Sequence, residues 1–327
     1  MQFARSFYYA LLLLFVSLPS YAENGTPDRD DIEYPDDEPH SQREIELGKV
    51  LFFDTRLSVN KRQSCASCHN PDLGFSDGLV TSIGAMGEKV TRNSPHLYNL
   101  AWSSSLFWDG RSSTLEEQAL GPISAKGEMN LPLEKLVPRL NAVPFYQTEF
   151  NAVYGEDGIT LANIAFALAA FERTIISDNS PYDQYIAGDK NSLSPAAIRG
   201  LALFEGKANC IKCHDGANFT DDSFHNIGVS PVNEDNGRAA VFDSKELAGA
   251  FKTPGLRNTL LTAPYMHNGS IASLEEVVRF YSVGGEHKEN ISALIKPLNL
   301  SEKEIVDLVA FLGSLTDPVQ VERPELP

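Results

Sequence analysis

All four cysteines of the 327-residue chain fall in one pattern that occurs twice, Cys65-Ala66-Ser67-Cys68-His69 and Cys210-Ile211-Lys212-Cys213-His214. At the spacing Cys-x-x-Cys-His, two thiols can add across the vinyl groups of a c-type haem while the adjacent imidazole supplies a nitrogen to the iron. One copy alone would equally suit a redox dithiol or half of a zinc site. Two copies that leave no cysteine over point to two covalently attached haems, with His69 and His214 on their irons.

Each iron then has a sixth position, and what fills it decides the chemistry. Met or His closes an electron-transfer haem, whereas a catalytic haem keeps the position open. Methionine is scarce: Met1, Met86, Met129 and Met266. Met266 lies well downstream of the second motif, in Ala263-Pro264-Tyr265-Met266-His267-Asn268-Gly269-Ser270, where a distant Met returns to the iron in a cytochrome c. It is the expected ligand of the second haem, with His267 as a competitor. Met86 and His96 follow the first motif at plausible distances, but spacing alone makes neither of them a ligand.

The elements that must position these groups are mostly helices. Ser41-x-x-Glu44 reads as a capping box, followed by an apolar stripe through Leu47, Leu51 and Phe52 that leads to the first motif. Ser194-Pro195 opens a second helix leading through Leu201 and Phe204 to the second motif. A helix followed by Cys-x-x-Cys-His, twice over, is an internal duplication. Residues 70–113 are rich in Gly, Ser, Asn and Pro and predict loops with short β pairings. Further helices are predicted from Thr114, over 132–141, over 160–176, from Ser273 and from Ser301, the third being the most apolar. The fold class expected is mainly α: two cytochrome c-like haem domains in one chain, over residues 41–178 and 179–318, with a short tail at 319–327.

Composition sets the boundary conditions. With 42% hydrophobic and 22% charged residues the chain can fill real cores. Arg5, an apolar run from Phe7 to Leu18 and a small-x-small ending at Ala22 form a secretory signal over 1–22, too short to span a membrane. Haem attachment to this motif takes place outside the bacterial cytoplasm, so a periplasmic address is expected. The net charge of −17 becomes −18 once residues 1–22, which carry Arg5 and no acid, are removed. Such a charge disfavours nucleic acid and anionic membranes and would suit a basic electron donor. Residues 23–40 hold eight of the acids against one Arg and read as a flexible leader.

Several further motifs, in order, resemble one family over about Ser41 to Leu315: the bacterial di-haem cytochrome c peroxidases and their MauG-type relatives. They include Leu47 to Asp54, Gly74-Phe75-Ser76-Asp77-Gly78, Arg92-Asn93-Ser94-Pro95 and Leu106-Phe107-Trp108-Asp109-Gly110-Arg111. Leu115 to Ala119, Gly121-Pro122, Glu128-Met129, Phe224 to Gly228 and Thr253 to Asn258 continue the match.

The resemblance implies a peroxidatic first haem, a second haem closed by Met266 where electrons arrive, and Trp108 between them. It implies Glu128 and Gln118 as the polar pair above the open iron: a shielded carboxylate to move the proton and an amide to hold hydrogen peroxide. Pro122 lines the same pocket, and Asn93 is the side-chain ligand of a calcium between the domains. A small cytochrome c or copper protein is the implied donor, and a homodimer is allowed. One position departs from the family pattern. Many of its peroxidases carry a His after Ser-Ile-Gly that blocks the first iron until the second haem is reduced, and here Ser82-Ile83-Gly84 is followed by Ala85. The first haem is therefore expected to be open without prior reduction. Two other functions remain in view: a MauG-like oxidase of a partner protein, which closes its second haem with Tyr, and a plain electron-transfer cytochrome. Tyr265 stands next to Met266.

Overall fold

A computed structural model describes residues 25–36 and 38–327. The signal expected over 1–22 lies outside the described residues.

Ten helices carry the fold among these residues. In chain order they are α1 (Gln42–Phe53), α2 (Cys65–Cys68), α3 (Leu115–Ser124), α4 (Leu133–Asn141), α5 (Pro144–Tyr154) and α6 (Leu161–Glu172). There follow α7 (Pro181–Ile186), α8 (Pro195–Glu205), α9 (Leu274–Val283) and α10 (Glu302–Gly313). The only ladder among the described residues is a pair of two-residue strands, β1 (Phe224–His225) and β2 (Phe251–Lys252), antiparallel with Phe224 opposite Lys252. The protein is thus mainly α, with few short β pairings.

Two apolar cores form. One gathers Leu47, Leu51, Phe52, Leu136, Phe150, Leu168 and Phe171; the other Tyr182, Phe204, Phe219, Leu308, Phe311 and Leu315. Each is built on a crossed helix pair, α1 with α6 and α8 with α10, and each crossing needs a glycine. A Cβ on Gly48 would stand 1.7 Å from the carbonyl oxygen of Ala167, and one on Gly200 would stand 2.0 Å from that of Asp307. Backbones this close leave no room for a side chain. The duplication therefore extends to the packing.

The helix caps follow the Ser and Thr residues. Ser273 and Ser301 make complete capping boxes with Glu276 and Glu304. Ser41 makes only half of one: its hydroxyl accepts from the Glu44 amide at 3.1 Å. The Glu44 carboxylate instead turns inward and accepts from the Tyr154 hydroxyl of α5 at 2.6 Å. Both α5 and α7 were absent from the sequence expectation. Each starts at a Pro in its first turn.

The described leader and the C-terminal tail both pack on the helical cores. The acidic stretch expected as a flexible leader makes specific contacts over its described residues. Thr26 donates to Asp183, the carbonyl of Asp28 accepts from the Trp102 indole at 3.1 Å, and Arg29 pairs with Asp178 at 2.7 Å. Glu38 is buried against Arg173 at 3.2 Å. At the other end, Val319 and Val321 pack on the first core and Arg323 pairs with Asp72 at 2.7 Å. Among the described residues, Thr26 thus reaches Asp183 beyond the first core, and the 319–323 segment returns to the first core.

Candidate active site: two cavities sharing one wall

Each Cys-x-x-Cys-His opens onto a cavity. The first, of about 470 Å³, is lined by Cys65, Cys68, His69, Gln118, Pro122 and Glu128; the second, of about 430 Å³, by Cys210, Cys213, His214, Tyr265, Met266 and His267.

The chemistry of the donor sets fits haem c. All four cysteines are free thiols. Burial pushes Cys65 and Cys68 up, Cys210 to about 12 and Cys213 to about 11. A redox dithiol or a thiolate zinc site needs the opposite shift. His69 Nδ1 lies 3.2 Å from the carbonyl of Phe75, and His214 Nδ1 lies 2.9 Å from that of Phe219. A carbonyl can only accept, so each Nδ1 carries the proton and each Nε2 keeps its lone pair for a metal. Burial keeps both imidazoles neutral by lowering their pKa values. Two partly buried thiols and an oriented imidazole, repeated on two cavities, match two c-type haems.

The first cavity has a polar wall. Gln118 and Pro122 sit one turn apart on α3, and both face inward. Pro122 has no N–H to give the Gln118 carbonyl, so the helix ends soon after it. The chain then folds back: Glu128 N donates to Ala125 O at 3.0 Å and Met129 N to Pro122 O at 3.1 Å. This return brings Glu128 to the same cavity as Gln118. Burial raises the Glu128 carboxyl above the ordinary carboxylate range, and the Arg111 charge opposes that rise.

A tight hairpin over residues 82–90 is pinned to the same return. Ala85 N donates to Glu128 O at 2.7 Å, and a Cβ on Gly84 would fall 2.0 Å from Gly127 O. Gly84 lines the cavity, Ala85 does not, and the Met86 side chain is 62% exposed. Met86 is therefore no ligand in this conformation. Neither is His96, whose Nε2 donates to Gly255 O at 3.0 Å while Nδ1 accepts from Tyr98 N at 3.2 Å.

In the second cavity Met266 and His267 both line the wall. The His267 ring is stacked on Phe251 with centroids 3.6 Å apart, and burial lowers its pKa to about 4. The Tyr265 hydroxyl donates to Thr259 O at 3.1 Å. Met266 lines the cavity beside them.

Trp108 borders both cavities. Its indole N–H donates to Asn93 O at 2.8 Å, and its carbonyl accepts from Lys252 N at 2.8 Å. Asn93 continues the seam: its amide donates to the carbonyls of Leu79 and Val80 at 3.0 and 3.3 Å, and its N–H to His267 O at 2.7 Å. Arg92 bridges Asp109 at 2.6 Å and Asp235 at 2.7 Å.

Sequence reasoning gave no role to Glu172, Phe107, Arg111 or Lys252. Glu172, at the end of α6, lines the first cavity with its Oε2 unpartnered, and burial raises it to about 8. Lys252 borders both cavities and pairs with Asp222 at 2.5 Å. Glu172 and Lys252 meet the cavities through contacts distant in sequence, whereas Phe107 and Arg111 lie in the Leu106–Arg111 motif and touch each other.

A mainly helical chain with two Cys-x-x-Cys-His cavities on a shared wall defines a di-haem c-type protein. Comparison with known proteins agrees. A family model described as "Di-haem cytochrome c peroxidase" matches residues 42–191. The chain is 43% identical to the methylamine utilization protein MauG of Methylorubrum extorquens, over 90% of this chain and 85% of that one. It is 39% identical to a cytochrome-c peroxidase of Pseudomonas sp. strain SCT, over 90% of this chain and 87% of that one. Among solved structures, a MauG-like protein associated with microbial copper homeostasis superposes with a TM-score of 0.82 at 34% identity, covering 92% of this chain and 95% of that one. The chain belongs to the di-haem cytochrome c peroxidase and MauG family, and is an enzyme of the di-haem type. That family implies two c-type haems. No helix among the described residues is long and apolar enough to cross a membrane.

Proposed function

We propose that the protein is a periplasmic peroxidase: hydrogen peroxide, two electrons and two protons give two waters. The observation that carries this reading is the pairing of Glu128 with Gln118 on the wall of the first cavity. When bound at Cys65, Cys68 and His69, a haem supplies the redox-active iron at which the O–O bond is cleaved.

The residues around it handle the protons and the positioning. The Glu128 carboxylate takes a proton from one peroxide oxygen and returns it to the other, which leaves as water. Burial raises its proton affinity, and the Arg111 charge opposes that rise. The Gln118 amide holds the peroxide by hydrogen bonds, and Pro122 restricts the space beside it. Cys210, Cys213, His214 and Met266 would hold the second haem, which would take electrons from a small cytochrome c or copper protein, with Trp108 as the crossing point between the cavities. Its place on both cavities supports that route. A calcium ion on the Asn93 side chain belongs to the same reading, as does a periplasmic address from the signal at 1–22.

Ala85 makes the first centre available without reduction. The test is to add hydrogen peroxide to the fully oxidised protein and follow its absorption spectrum. An immediate change is expected; two low-spin centres that do not respond would overturn the reading.

A second reading is favoured by the 43% identity to MauG and by Ala85: oxidation of residues on a partner protein. Fast peroxide turnover with a reduced small redox protein supports the peroxidase. Slow turnover with a long-lived oxidised protein supports the other. The committed Tyr265 hydroxyl favours the first, since the MauG-type branch closes its second haem with Tyr.

A further inference from the structure

The duplication reaches the loops above the two cavities, and there it aligns Phe107 with Met266. An antiparallel bridge joins Leu106 to Ser112 in the first half, and another joins Tyr265 to Ile271 in the second. The residue after the first bridge partner is Phe107 in one loop and Met266 in the other, with φ of 66° and 73°. Positive φ is rare for residues with side chains, so its recurrence at matched positions marks one loop built twice. Both loops then run the same distance to a helix cap, Thr114 before α3 and Ser273 before α9. On this register Trp108 matches His267, Arg111 matches Ser270, Gln118 matches Val277 and Pro122 matches Tyr281.

Phe107 lines the first cavity as Met266 lines the second. The phenyl ring is held from two sides. Its Cζ would lie 3.1 Å from a Cβ on Gly121 of α3, and the Arg111 guanidinium carbon lies 3.4 Å from its centroid. Arg111 is itself fixed by Asp109 at 2.9 and 3.0 Å. A thioether has a lone pair to give a metal and a phenyl ring has none.

We propose that Phe107 is the residue that keeps the first centre open. It fills, with a side chain that cannot ligate, the loop position from which Met266 closes the second. This rests on the reading of Met266 as a ligand and of the first centre as the open, reactive one. It adds to the Ala85 reading, because the 82–90 hairpin and the 106–112 loop approach the cavity from different parts of the chain. Removing a blocking His leaves the centre open only if the loop matched to Met266 also withholds a ligand.

The test is Phe107→Met in protein carrying both haems, read by ferric electron paramagnetic resonance and by imidazole titration. A wild-type first centre that is high-spin and binds imidazole is expected to become low-spin and to lose imidazole binding. Phe107→Leu should stay open, since leucine also lacks a lone pair. A double variant, Phe107→Met with Arg111→Ser, gives the first loop the residue pair of the second and relieves the stacked guanidinium. If both Met variants carry two haems by mass and still bind imidazole as the wild type does, the proposal fails. Loss of the first haem from both Met variants also counts against it, since Phe107 would then be a packing residue. Two low-spin centres in the wild type, with no imidazole binding, would instead overturn the open-centre reading itself.

Discussion

The Trp108 indole donates its N–H to the carbonyl of Asn93 at 2.8 Å, and Asn93 N–H in turn donates to His267 O at 2.7 Å, so the wall between the two cavities is tied to the second cavity's lining. The ring cannot turn without breaking that bond and losing its edge-to-face contact with His267, whose centroid is 6.5 Å away. If electrons cross here, Trp108→Phe keeps an aromatic ring but loses the anchor. Both haems should remain attached, while peroxide turnover with a reduced donor falls by at least an order of magnitude. Stopped-flow oxidation of the second haem by peroxide checks this, and an unchanged rate would remove Trp108 from the route.

Glu128→Gln preserves shape and hydrogen bonding but cannot carry the proton. Turnover should drop by roughly 10²–10⁴-fold, the usual worth of a positioned acid/base group. The absorption spectra of both haems should be unchanged. A variant that turns over at the wild-type rate would show that the proton moves elsewhere.

Glu172 has no partner for its Oε2, and burial lifts its pKa to about 8. Such a group is neutral in the folded protein at neutral pH, while in the unfolded chain it ionises in the ordinary carboxylate range. Its contribution is full below that range and is lost as pH rises towards about 8. Replacing it with Gln should therefore raise Tm most at pH 8 and above, and least near pH 4. Thermal melts of both proteins across that window would show the difference; parallel curves would show that the carboxyl is already satisfied.

Arg257 and Asp183 form a bidentate pair at 2.8 Å, with side chains only 1% and 4% exposed. Although burial pushes the Asp183 carboxyl up, the Arg257 bonds hold it below its ordinary value. Asp183→Asn leaves the guanidinium buried without its counter-charge. By analogy with other broken buried pairs, the second core should lose about 3–5 kcal/mol. Denaturant unfolding followed at the second haem measures this. A loss below 1 kcal/mol would mean that water reaches the pair.

The straps at the two chain ends make a weaker prediction. Removing residues 319–327 uncovers the first core at Val319 and Val321, both partly buried. The expected cost is about 2 kcal/mol for two partly buried valines. It should fall on the first haem domain, and unfolding monitored separately at the two haems distinguishes this from a general loss.

What could be read from the chain was what short spacing encodes. Haem attachment needs two thiols and an imidazole within five residues, so Cys65 to His69 and Cys210 to His214 declare it outright. Caps are equally local: Ser273 and Ser301 start the helices that their Glu partners announced. The Gln118 and Pro122 face follows from helical spacing once α3 is placed. Glu44 shows the limit, because its capping role was legible while the Tyr154 hydroxyl that takes its carboxylate lies 110 residues away.

The sequence by itself therefore determined two Cys-x-x-Cys-His motifs suited to c-type haem, which helices lead to them, and that one half repeats the other. The tertiary structure decided that the cavities share a wall at Trp108, that Ala85 stands off the first cavity, and that the leader from residue 25 and the tail at 319–323 dock on the fold. It also matched Phe107 to Met266, an equivalence carried by backbone conformation and not by side-chain type. The physical reason is range. Thiol spacing and helix capping are fixed by a few adjacent dihedrals, whereas a shared wall requires carbonyls and rings from distant segments to meet, and only the packed chain specifies that.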